Sequence, residues 1–154
     1  MKHDEVMAIM NDPLAQELLF APMPARMAYT GLDGFPRVIP IGFWWNGADL
    51  ILATHPQSPK VKALRAHPHV ALTIDTNDFP PHMLTIRGTA SIVVVDGIPP
   101  EYLDASRKLV APEQWAGFEA GVRQTYKQMA RIAVTPQWAQ VYDFVTRAPS
   151  AAQG

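Results

Sequence analysis

LILATHPQSPKVKALRAHPHVALTID, residues 50–75, reads as a strand (Leu50 to Thr54), a short helix (Ser58 to Ala66) and a second strand (Val70 to Asp75). Between the first strand and the helix, Thr54 closes a strand, Ser58 takes a helix N-cap position, Pro59 the first helical position, and Lys60 the next. A helix start presents unpaired N–H groups and the positive end of the helix dipole, so it favours anions. Two hydroxyls and an ammonium added to it make a reasonable phosphate cradle. An ordinary capped helix start with a solvated lysine accounts for the same residues.

Working outward, Asn46-Gly47-Ala48-Asp49 is a tight-turn signal that returns the preceding strand, Arg37 to Trp45, as Leu50 to Thr54. Pro40 within that long strand cannot donate a ladder hydrogen bond, and Gly42 suggests a bulge or a close backbone approach. Arg26 to Thr30 precedes it across a glycine-bearing hairpin loop. An N-terminal helical segment, residues 1–22, has its apolar positions over 4–20 in two pieces broken at Asp12-Pro13. Downstream, Met83 to Val95 reads as a long strand and Ile98 to Val110 as a helix. A second helix starts at Pro112, with Trp115, Phe118, Val122, Tyr126 and Met129 on one helical stripe, which makes Trp115 a core residue. Arg131 to Thr135 and Trp138 to Val145 are read as two closing strands, and residues 147–154 as a frayed tail. The fold class that follows is mainly β with peripheral helices (α+β): six or seven mostly antiparallel strands in a curled sheet or small barrel, one domain over residues 1–154. Exposed strand edges in such a sheet are commonly hidden by dimerising.

Formal net charge is −1, so no basic field draws the chain to nucleic acid or to acidic membranes. There is no cysteine, which removes disulfides, thiol nucleophiles and thiolate metal sites. No apolar run has the roughly 20 residues of a membrane span, and the first residues lack a signal-peptide core, so a cytoplasmic location is expected. The five histidines form no ligand set with carboxylates, and no metal site is expected. No Ser-His-Asp arrangement stands out, and no side chain is singled out as catalytic. Alternation over Phe43-Trp44-Trp45 sends at least one of these rings into the core.

The order and spacing of several pieces resemble the pyridoxamine 5'-phosphate oxidase-like family of FMN-binding split β-barrels. They are Arg37-Val38-Ile39-Pro40, Leu52-Ala53-Thr54, Ser58-Pro59-Lys60 with Leu64, and His67-Pro68-His69-Val70-Ala71-Leu72. Ile86-Arg87-Gly88-Thr89-Ala90 and Arg131-Ile132-Ala133-Val134-Thr135-Pro136 continue the pattern. The resemblance implies a homodimer with FMN between the subunits. It implies that Arg37, Val38, Ile39 and Pro40 face the flavin ring, that Thr54, Ser58 and Lys60 hold the ring edge and phosphate, and that the second subunit adds groups from the late strands, with Tyr142 or Trp138 as an aromatic contact. Gly42 stands where the oxidase subgroup carries a substrate-phosphate lysine, Pro59 stands where it carries an arginine, and its C-terminal R-x-H signature is missing. Pyridoxamine phosphate is therefore not the expected substrate.

An FMN-dependent oxidoreductase acting on a small substrate is the reading that follows. A reductase using coenzyme F420 on the same fold is one alternative, and a non-catalytic flavin- or haem-binding module is another.

Overall fold

The computed structural model describes residues 1–146 of the chain; the segment read as a frayed tail lies outside the described residues. Among the described residues, seven strands form a single antiparallel sheet in the order β2-β1-β5-β6-β7-β4-β3. They are β1 (Ala25–Thr30), β2 (Pro36–Ile41), β3 (Trp44–Trp45), β4 (Leu50–Thr54), β5 (His69–Asp75), β6 (His82–Asp96) and β7 (Gln128–Asp143). The two edge strands, β2 and β3, are consecutive in the chain and separated only by Gly42 and Phe43. A flat sheet would hold its edges roughly 29 Å apart at about 4.8 Å per strand. The link from Ile41 to Trp44 reaches no more than about 11 Å. The sheet must therefore curl until its edges approach, although they are not hydrogen-bonded to each other and the barrel is not closed.

Inside the curl lies one apolar core that includes Phe43, Leu50, Leu52, Leu72, Ile86, Ile132 and Val134. The Phe43-Trp44-Trp45 run divides as alternation predicts: Phe43 and Trp45 are buried, while Trp44 is half-buried and meets the edge of Phe20 at 5.5 Å. Helices α1 (His3–Met10) and α2 (Pro13–Phe20) cover the core with Val6, Met10, Leu18 and Leu19. Asp12 separates them as the sequence suggests, with its Oδ1 accepting the Leu14 N–H at 2.9 Å and Pro13 at the first helical position. Helix α3 (Pro59–Ala66) lies between β4 and β5, and α4 (Pro100–Arg107) and α5 (Trp115–Thr125) lie between β6 and β7.

Four sequence expectations need correction. The long strand from Arg37 to Trp45 is broken at Gly42-Phe43, because the chain there passes from one sheet edge to the other. The two closing strands are one continuous β7, since Pro136 falls at an irregularity where β6 and β7 shift register beside Arg87 and Gly88. The apolar stripe of α5 stops at Thr125, so Met129 is buried by β7 and not by the helix. Trp115 is also less enclosed than the stripe suggests; it is half-buried, with the Arg107 guanidinium over its ring at 4.3 Å.

Candidate functional site

Strand β4 delivers Thr54 to the mouth of the loop His55–Ser58, and α3 starts directly after it. The loop is built from local bonds: the Gln57 N–H donates to His55 Nδ1 at 3.0 Å, and the Ser58 N–H donates to the His55 carbonyl at 2.9 Å. His55 therefore shapes the loop, and its ring approaches that of Tyr126 at 6.2 Å. Ser58 sits at the N-cap with φ −59° and ψ 135°, yet its hydroxyl caps no N–H of α3. That hydroxyl is left for another partner.

Lys60 follows the loop directly, as the second residue of α3. It is half-buried, and burial alone pushes its ammonium below the ordinary lysine range; no carboxylate offsets the loss of water. It also stands in the first turn of α3, where the helix dipole disfavours a cation. Two effects thus oppose a positive charge here, and a bound anion would relieve both. Thr54 ends β4 on one side of the loop, while Ser58 and Lys60 stand on its other side, at the N-cap and in the first turn of α3.

The remaining predicted residues lie elsewhere. Arg37 to Pro40 form most of β2, an edge strand paired only with β1. Val38 and Pro40 are exposed, which suits a proline that cannot donate to a ladder. The Arg37 guanidinium folds back on its own hairpin: it donates to Asp33 Oδ2 at 2.9 Å and to the Phe35 carbonyl at 3.0 Å. This hydrogen bond holds the Asp33 carboxyl below its usual range. Tyr142 stacks with Phe144 at 6.1 Å near the far end of β7, whereas Thr54 pairs with Ala130 near its start. Twelve residues of strand, roughly 40 Å of chain, separate those positions. Within one chain the structure does not bring Tyr142 to the loop.

Cavities flank the loop and the adjoining strands. One of about 600 Å³ opens beside His55, Pro56 and Gln57, and its opposite wall is Asp96 with Thr125 to Gln128. A more enclosed one of about 240 Å³ lies between α4 and the strands β2 and β4, with Ile41 and Ala53 in its wall. Tyr102 of α4 also lines it, its phenol pushed up first by burial and then by the charge of Tyr126. Helix α4 is strapped down there by Glu101, whose Oε1 accepts from Arg131 Nη2 at 2.6 Å and Nε at 3.1 Å. Sequence reading did not find this wall. The helix was legible, but no local signal told which strands it would cover.

A family model described as Pyridoxamine 5'-phosphate oxidase matches residues 12–143. A comparison with curated proteins gives no match. Among similar solved structures is an F420 reductase, 22% identical, with 81% of this chain and 94% of that chain covered at a TM-score of 0.59. HutZ, the heme storage protein from Vibrio cholerae, is 17% identical, with 84% and 93% covered at a TM-score of 0.60. A Clostridium acetobutylicum protein of the pyridoxinephosphate oxidase family, related to general stress protein 26, is 16% identical, with 84% and 86% covered at 0.58. At these identities the likeness to solved structures is one of fold.

Proposed function

Since this chain belongs to the pyridoxamine 5'-phosphate oxidase family, we propose that it is an FMN-dependent oxidoreductase acting on a small substrate other than pyridoxamine phosphate. The observation that carries this reading is the half-buried Lys60 without an acidic partner, beside the uncommitted Ser58 hydroxyl at the start of α3. A phosphate monoester is a dianion that accepts from an ammonium, a hydroxyl and helix N–H groups together. Thr54, at the end of β4, is suited to the ring edge, and the free backbone edge of β2 to the ring itself.

Bound flavin supplies the hydride or electron transfer, while the protein supplies binding, orientation and exclusion of water. That division explains why no acid–base constellation stands out in the chain. Arg37, held by Asp33, is assigned to the shape of the β1–β2 hairpin, so that β2 is presented in one register. Tyr142 reaches a flavin only from a second copy of the chain, so the proposal includes a homodimer.

The same donors fit the phosphate of coenzyme F420, and the fold shared with an F420 reductase supports that cofactor as a second reading. A haem-binding module without turnover is the alternative from another class, supported by the fold shared with HutZ. Titration of the purified protein with FMN, F420 and haem, followed by absorption, separates the three. Tight FMN binding with NADPH-driven, acceptor-dependent turnover is the expected result. Lys60→Ala is expected to weaken FMN binding by about 1.5–3 kcal/mol, roughly ten- to a hundredfold. An unchanged affinity in that variant would remove the phosphate from this loop.

A further inference from the structure

The 240 Å³ cavity under α4 is not needed to hold a phosphate, and its walls are of another character. Ile41, Ile51, Ala53, Ala105, Leu109 and Phe118 line it, and none of its wall residues is ionisable in the neutral range. Its polar groups are hydroxyls: that of Ser106 is committed to the Tyr102 carbonyl at 2.7 Å, and Tyr102 adds one phenol. An uncharged apolar cavity rejects ions, because nothing there repays their dehydration. Volume narrows the class further. A dry apolar cavity of roughly 150 Å³ is enough for benzene, whereas drug-sized ligands take about 300 Å³ or more. A space between these limits fits one ring or a fused pair.

We propose that this cavity binds a neutral planar molecule of one or two rings. Ile41 and Ala53 in its wall directly follow Pro40 and directly precede Thr54, so the ligand lies against the ends of the two strands assigned to the flavin. That the ligand is the reducible substrate rests on the flavin reading above; that the cavity binds it does not.

The test uses the full chain without added cofactor and 5-fluoroindole as the neutral probe, followed by fluorine NMR, with indole-3-carboxylate as the charged control. Saturable binding at one site per chain is expected, with no binding of the carboxylate. Ala105→Leu fills the cavity from the helix side. Gly42→Val fills it from the strand side: a Cβ at Gly42 would stand 3.8 Å from Leu109 Cδ1, and Gly42 is not among the glycines with positive φ. Each is expected to weaken binding at least tenfold, whereas Ala116→Leu on the exposed side of α5 is not. Should a filled variant fail to fold, wild-type protein still decides, because bound indole must show proton NOEs to the methyl groups of Ile51 and Leu109. Non-saturable binding, equal binding of the carboxylate, missing NOEs, or affinity unchanged in folded filled variants would each overturn the proposal. Displacement of the probe by FMN would overturn it too, by giving the cavity to the cofactor's own ring. Failure of FMN to bind at all, with the probe still in the cavity, would sink the flavin reading alone.

Discussion

Two lysines show how burial turns a common surface residue into a marked one. Lys60 has no acidic partner among the described residues, and the proposal of an anion there rests on that. Lys108 has two partners: its Nζ donates to the Leu19 carbonyl at 3.1 Å and lies 3.8 Å from the centre of the Phe43 ring. Neither is a carboxylate, and burial brings its pKa down to about 8. An unfolded lysine titrates near 10.4, so between these values the unfolded chain holds a proton that the folded chain has released. Stability should therefore rise with pH from about 8 towards 10, the gain being absent below that window. Urea unfolding at pH 7 and pH 9.5 checks this, and the gain attributable to Lys108 should disappear in Lys108→Met.

At the scale of elements, β6 and β7 form the spine of the sheet, and their approach depends on one missing side chain. A Cβ on Gly88 would stand 2.5 Å from the Thr135 carbonyl oxygen and 3.0 Å from Val134 Cγ1. The obstacle is backbone and cannot rotate away. Gly88→Ala should cost about 1–3 kcal/mol in chemical unfolding, by overpacking. Helix α4 depends instead on a charge pair. Glu101 is held below the ordinary carboxylate range first by its hydrogen bond from Arg131. Its folded pKa lies below the unfolded value, so the pair stabilises above pH 4–5 and the contribution is lost as pH falls through the folded value. Glu101→Gln should lose about 1 kcal/mol at pH 7 and much less at pH 3, measured by urea unfolding.

For the whole molecule, two of the more exposed apolar residues lie on the unpaired edge. Phe35 is 71% exposed and Val38 69%, both on the β1–β2 hairpin that ends the sheet. An apolar edge strand is a liability unless another chain covers it. Sedimentation at micromolar concentration should show a dimer, and Val38→Lys should shift it towards monomer. A wild-type monomer with FMN bound would remove the homodimer, and Tyr142 with it, from the flavin site.

Most strands and the start of α3 were legible in the sequence, because alternation, turn residues and caps act over a few neighbouring positions. Asn46 illustrates this: its Oδ1 accepts from the Ala48 and Asp49 N–H groups at 2.9 and 2.8 Å, closing the turn that the four residues predict. The positions of Thr54 at the end of β4, Ser58 at the N-cap and Lys60 in the first turn of α3 were readable for the same reason. Other features were settled only by contacts distant in the chain. Gly42-Phe43 became the bridge between two sheet edges, β7 ran unbroken past Pro136 because β6 pairs along its length, and α4 came to roof a cavity against β2 and β4. Lys60 is marked in the sequence by its position, but its desolvation without a counter-charge depends on what the folded chain packs around it. Local rules choose the elements; burial, which sums over the whole chain, decides which of their side chains lose water without gaining a partner.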